Sequence, residues 1–232
     1  MPKLLPTPPI HSAVTISRRS LLLLGFSAGM VAYHKAAISS PLKTNAMATP
    51  RQTEGPFYPN NEQQDKDIDL TQIEGHTHRA QGEVIIVKGR VMDTNGVTIS
   101  NAFVEIWQAN TWGRYRHQRD PNAAPLDPDF QGWGQTTTDT QGGYHFKTIK
   151  PGAYPAGPGW TRPPHIHFKV SSPGYFALTT QMYFPDQALN KEDSILQNMP
   201  LAQQPMVIAK QQANNDSDEA VFEFDIVLLK MP

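Results

Sequence analysis

Two histidines separated by one residue are the side chains best placed by type and spacing to do chemistry. They are His165 and His167, in the run Arg162-Pro163-Pro164-His165-Ile166-His167-Phe168-Lys169-Val170. On a β-strand the two-residue period puts both imidazoles on one face and Ile166 and Phe168 on the other. Neutral imidazole is the commonest protein metal ligand, so the pair suits a transition metal. Taken alone, it also fits a partly exposed strand carrying two polar residues. A second such pair, His76 and His78, sits in polar sequence without a strand pattern and reads as surface. His145 alternates with Tyr144 and Phe146 and belongs on the solvent face of its strand. Tyr115, in Gly113-Arg114-Tyr115-Arg116-His117, and Tyr154, in Lys150-Pro151-Gly152-Ala153-Tyr154-Pro155, each lie in a Gly- or Pro-bounded loop after a strand. Such loops often carry function, although singly each tyrosine reads as packing.

The elements that must position these residues are short strands between turn clusters. Residues 84–92 and 102–107 read as strands, separated by the turn Asp93-Thr94-Asn95-Gly96. Further strands are expected at 144–149, after Asp139-Thr140-Gln141-Gly142-Gly143, and at 166–170, 179–184 and 222–228. In the last, Phe222, Phe224, Ile226 and Leu228 share one face. Helix is scarce, with room for a short one within 187–212. The pattern predicts an all-β, single-domain β-sandwich with few short helices.

Composition narrows the function. The chain has 232 residues, 20 Lys+Arg against 21 Asp+Glu and a formal charge of −1. That balance argues against nucleic acid as the main partner, because binding a polyanion needs a basic surface. There is no cysteine, which excludes disulfides, thiolate nucleophiles and Cys-ligated zinc or iron–sulfur clusters. The 21 prolines are roughly twice average usage and favour turns over long helices. Residues 1–48 read differently from the rest. Ser17-Arg18-Arg19-Ser20-Leu21-Leu22 opens an apolar stretch to Ala32, too short to span a bilayer, with Ala46-Met47-Ala48 a cleavage candidate. This looks like a twin-arginine export signal and predicts a periplasmic or extracellular protein. The expected organisation is therefore 1–48 as signal and linker, and 49–232 as one sandwich.

Taken together, the motifs resemble a family. Val104-Glu105-Ile106-Trp107-Gln108-Ala109-Asn110, the Tyr115 and Tyr154 loops, Arg162 to Phe168, Thr180-Gln181-Met182-Tyr183-Phe184 and Phe224 to Leu228 resemble, in order, the intradiol ring-cleavage dioxygenases. The likeness is nearest to the iron-bearing β-subunit branch of the protocatechuate 3,4-dioxygenases. Thr53-Glu54-Gly55-Pro56-Phe57-Tyr58-Pro59 resembles that family's N-terminal element, and the likeness spans residues 51–230. It implies a non-haem Fe(III), one per chain, held by Tyr115, Tyr154, His165 and His167. It also implies a catalytic role for Tyr154 as a ligand that leaves the metal, with it or a metal-bound hydroxide taking substrate protons, for Arg162 in stabilising charge on the substrate, and for Gln181 beside the oxygen site. The implied reaction is cleavage of a catecholic aromatic by O2 to a cis,cis-muconate-type diacid. A homo-oligomer or a partner subunit is expected. Hard ferric ion suits phenolate and imidazole, and a bound cation keeps phenols ionised. Ala156 and Trp160 mark where the pocket wall departs from the β-subunit pattern, and Pro56 and Tyr58 are candidates to line it.

Two other readings carry weight. Residues 89–107 and 138–154 also resemble transthyretin-like and carboxypeptidase-regulatory-like modules, which share the sandwich and lack the metal. A zinc or copper enzyme on His165 and His167 is the third, although no Asp or Glu lies at ligand spacing beside them. Tyr115 together with His165 and His167 is what separates the dioxygenase from the bare module.

Overall fold

A computed structural model of the chain describes residues 46–60, 63, 65–213 and 219–232. The basic pair and apolar stretch of the expected export signal lie outside the described residues. Eleven strands form among them: β1 Val84–Asp93, β2 Phe103–Trp107, β3 Trp133–Thr137, β4 Gly143–Ile149, β5 Tyr154–Gly157, β6 Trp160–Arg162, β7 His165–Ser171, β8 Leu178–Tyr183, β9 Lys210–Gln211, β10 Ala220–Glu223 and β11 Ile226–Leu228. One α-helical turn, α1 (Ser194–Gln197), and two 3-10 turns, Ala188–Lys191 and Gln204–Val207, fall in the segment where short helix was expected.

The strands make two packed sheets and a small hairpin. One sheet has the antiparallel order β3-β2-β7-β8. The other is built on β1, with β4 antiparallel to it and β10 and β11 parallel to it. β5 and β6 pair only with each other. The alternation read from sequence explains the core. Ile85, Val87 and Val91 of β1, Val104 and Ile106 of β2, Phe146 of β4, Ile166, Phe168 and Val170 of β7, and Phe222 of β10 are all buried in one apolar cluster. Phe168 stands at its centre, 5.9 Å from the ring of Tyr144 and 5.1 Å from that of Phe224. Each such side chain contributes about 1.5–3 kcal/mol when fully buried, so β7 is anchored through its Ile166–Phe168 face. His145 is exposed on β4, as its alternation required.

The last strand differs from expectation. Residues 222–228 are not one strand but the end of β10 and all of β11, in a single parallel register along β1, with Phe224 and Asp225 between them. Phe224 N–H donates to the Lys88 carbonyl at 2.8 Å, and the Asp225 side chain accepts the Arg90 N–H at 2.9 Å, replacing a ladder bond. The backbones come close here: a Cβ on Gly89 would sit 2.0 Å from the Phe224 oxygen. Phe222, Phe224, Ile226 and Leu228 are nevertheless all buried, as the period predicted. β3, β5, β6 and β9 were not legible, because Trp-Gly-Gln-Thr-Thr and Tyr-Pro-Ala-Gly carry no alternation.

Gly89→Ala should therefore destabilise the sandwich by about 1–3 kcal/mol in chemical denaturation, the usual cost of forcing a methyl into a packed site. Gly157→Ala, where a Cβ meets nothing within 4 Å, should stay within about 0.5 kcal/mol of the parent. Equal effects at the two positions would contradict this packing.

Candidate functional site

Strand register builds the site. On the face of the β2-β7-β8 sheet opposite the core, Trp107 pairs with His167 and His167 with Gln181. One step along, His165 pairs with Tyr183. In the hairpin, Tyr154 pairs directly with Arg162. Tyr154 is thus the first residue of β5 rather than part of a free loop, a correction to the reading from sequence. His165 and His167 are 2% and 3% exposed, which rules out the partly exposed strand with two solvated polar residues.

The two tyrosine loops interlock. Gly113 has φ +79°, and a Cβ there would lie 2.3 Å from the carbonyl oxygen of Ala153, the residue before Tyr154. Gly152 on the other side leaves no more room, with Thr111 O 2.5 Å from its ideal Cβ. Buried Asn110 ties them: its carbonyl accepts the N–H groups of Gly113 and Gly152 at 3.0 and 2.9 Å, and its side chain accepts those of Trp112 and Arg114. Asp120 accepts the Tyr115 N–H at 2.7 Å. The result is that the ring of Tyr115 stands 5.5 Å from that of Tyr154, at 89°. The Tyr154 ring lies 5.6 Å from that of His165, and the two imidazoles are 5.0 Å apart. Tyr115 Oη is 3.4 Å from His165 Nε2. All four side chains expected as ligands therefore converge.

The donor set fits a hard metal ion. His165 Nδ1 contacts the Pro163 carbonyl at 2.7 Å, the arrangement that fixes the tautomer of a ligating histidine and frees Nε2. His167 is oriented differently, stacked on the Trp107 indole at 4.8 Å and 11°, and its buried Nδ1 makes no hydrogen bond. Burial first, and then the Arg162 charge, push His167 down to about 3. The same two causes, followed by His167, hold His165 well below the usual imidazole range. Both rings are therefore neutral and ligand-competent at pH 7. Burial and then the neighbouring Tyr154 push Tyr115 well above an ordinary phenol. Burial also raises Tyr154, with the Arg162 charge opposing it. A metal cation bound at their oxygens would oppose that burial and favour the ionised form. Among the described residues no three His, Asp or Glu side chains gather at one point, so the histidine pair has phenols and not carboxylates for company.

Arg162 lines a cavity of about 310 Å³ together with Pro56, Phe57, Ala156, Trp160 and Ile195; Tyr154 and His167 form part of its wall. Burial works against the Arg162 charge, but Tyr183, Tyr154 and Asp193 outweigh it and the group stays cationic. Its Nη2 donates to Gln181 Oε1 at 2.7 Å, bringing together the two residues expected beside the substrate. Pro56 and Trp160 line the cavity as anticipated. Tyr58 does not: it packs edge-on against Trp107 at 5.0 Å, and its hydroxyl donates to buried Glu105 at 3.2 Å. His76 pairs instead with Asp129 at 2.8 Å. Sequence reasoning missed Trp107 as the plate under His167, and missed Asp193 and Tyr183 around Arg162. Trp107 could have been found from the two-residue period of β2 had the β2–β7 register been known. Asp193 had only a capping-type Asp-Ser as signal.

Comparison with known proteins agrees with this geometry. Residues 53–230 match the family model described as dioxygenase. The chain is 45% identical over 168 residues to the protocatechuate 3,4-dioxygenase beta chain of Burkholderia cepacia, covering 70% of this chain and 71% of that one. It is 30% identical over 190 residues to the alpha chain of the enzyme from the same organism, covering 79% and 93%. Among solved structures, catechol 1,2-dioxygenase from Acinetobacter sp. ADP1 matches with a TM-score of 0.60 at 27% identity, over 80% of this chain and 64% of that one. On these matches the chain belongs to the intradiol ring-cleavage dioxygenase family and is an enzyme of that class.

Proposed function

We propose that Tyr115, Tyr154, His165 and His167 hold one non-haem ferric ion, and that the enzyme opens a catecholic ring between its two hydroxyl-bearing carbons. Both atoms of O2 would enter the product, a cis,cis-muconate-type diacid. The observation that carries this reading is the convergence of two neutral imidazoles and two phenols, with Tyr115 Oη 3.4 Å from His165 Nε2 and with Tyr154 and His167 in the wall of a largely apolar cavity. A ferric ion bound there would keep the phenols ionised and withdraw electron density from a bound catecholate, opening the ring to O2.

The chain's own groups supply the rest. Tyr154, on the wall of the cavity that Arg162 lines, would when ionised take a proton from a substrate hydroxyl. The Arg162 guanidinium, buried and fixed, would provide positive charge where negative charge develops on the substrate during oxygen attack, and would cost no reorganisation in doing so. Gln181, fully buried, donates Nε2 to the Thr53 carbonyl at 2.9 Å and holds the N-terminal element over the site. Phe57, Ala156, Trp160 and Ile195 give the cavity the flat apolar walls that suit an aromatic ring and exclude water. The substrate is drawn from the protocatechuate, catechol and hydroxyquinol types. The beta- and alpha-chain relatives support assembly with further copies or with a partner sandwich. Export of the enzyme through the twin-arginine signal in residues 1–48 completes the proposal.

Purified protein should carry about one iron per chain and a broad visible band from tyrosinate-to-iron charge transfer. His165→Ala should lose both, and His76→Ala should keep both; equal loss would overturn the ligand choice. With catechol, protocatechuate and hydroxyquinol in parallel, ultraviolet assay should show a muconate-type product from at least one, and none from all three would reject this substrate class. Replacing Arg18 and Arg19 together by Lys should leave the enzyme in the cytoplasmic fraction; unchanged export would remove the signal reading.

A further inference from the structure

Asp193 is the most completely buried carboxylate near the cavity, with none of its surface exposed. It faces Arg162 side-on. Arg162 Nε donates to Asp193 Oδ1 at 2.8 Å and Nη2 to Oδ2 at 3.3 Å, with the two side chains 4% and 0% exposed. Tyr183 closes the ring: its hydroxyl donates to Asp193 Oδ2 at 2.9 Å and accepts from Arg162 Nη2 at 3.0 Å. Nη2 reaches Gln181 as well. These bonds engage Nε and Nη2 and do not use the Nη1 donor pair.

Asp193 has a second attachment. It is the N-cap of α1, its carboxylate accepting the Leu196 N–H at 3.3 Å. Leu196 is buried against Tyr183 and Val207, and Ile195, two residues from the cap, lines the cavity. One carboxylate thus joins the segment forming an apolar wall of the cavity to the single guanidinium in its lining. A guanidinium is joined to its backbone through about four freely rotatable bonds, and a planar two-point partner removes most of that freedom.

We propose that Asp193 is a positioning residue: it fixes the Arg162 guanidinium edge-on so that Nη1 faces the reacting ring, and it sets the α1 wall and that charge in register. The role rests on the reading that Arg162 acts on the substrate. It requires no metal for the Asp193–Arg162 contact itself.

Asp193→Asn keeps a good helix cap and the side-chain shape but removes the charge. It is combined with Arg162→Met in a double-mutant cycle. In the parent, Asp193→Asn should lower kcat by about 10²-fold, the scale of a misplaced catalytic group, with KM changing much less. In the Arg162→Met background, where no buried cation is left unpaired, the same substitution should change kcat by less than about twofold. The same factor in both backgrounds would mean that Asp193 acts independently of Arg162, and would overturn the proposal. A second measurement needs neither iron nor turnover. In 15N-arginine-labelled protein, the Arg162 Nε–H, assigned by its disappearance in Arg162→Met, should exchange with water at least about tenfold faster in Asp193→Asn than in the parent. Unchanged exchange would also overturn the proposal. A parent that is colourless and cleaves no catechol would instead remove the function proposed above, and the exchange measurement would still decide whether Asp193 holds Arg162.

Discussion

The two-residue period of β7 is the constraint on which the rest of the structure depends. Ile166, Phe168 and Val170 face one way into the apolar layer, and His165 and His167 face the other way and are also buried. Both faces are covered, so a one-residue slip would drive imidazoles into the core and isoleucine into the site. Antiparallel pairing to β2 and β8 holds that register and also delivers the companions, Trp107 on one side and Gln181 and Tyr183 on the other. The remaining parts are brought to this strand from outside its sheet: the β5–β6 hairpin with Tyr154 and Arg162, the Tyr115 loop, and the α1 segment with Asp193.

Burying this many polar groups is costly unless each is satisfied. The structure meets that requirement at His165, whose Nδ1 meets a backbone carbonyl, and at Arg162, which has a carboxylate, a phenol and an amide at once, whereas His167 is stacked on an indole and its Nδ1 has no hydrogen bond. The phenols and imidazoles are neutral by burial, and the Arg162 guanidinium faces the Asp193 carboxylate. Removing one partner of such a pair leaves an uncompensated buried charge, which is more damaging than never having had the pair. The same arrangement suits the chemistry. The donor set becomes anionic only when a cation arrives, and Arg162 is preorganised instead of recruited.

Much of this was legible in the sequence because it is local. The alternation in Ile166-His167-Phe168 gave both faces of β7, and the Gly- and Pro-bounded settings of Tyr115 and Tyr154 marked strand ends. The family resemblance then supplied the four-residue set, which residue types and spacing alone had left open. What was not legible is non-local. That Tyr154 lies opposite Arg162, and Trp107 opposite His167, depends on pairings set by turns with no repeating pattern. Asp193 is 31 residues from Arg162 in sequence and looks like an ordinary helix cap. The break at Phe224 and Asp225 follows from close backbone approach at Gly89, which hydrophobic periodicity does not register.

The central claim is that two tyrosines and two histidines share one ferric ion. Diffraction from a crystal of the purified protein, recorded on both sides of the iron absorption edge, tests it most directly. The account predicts one anomalous peak per chain, bonded to Tyr115 Oη, Tyr154 Oη, His165 Nε2 and an imidazole nitrogen of His167. No iron peak at that point, or a peak ligated by other side chains, would contradict it.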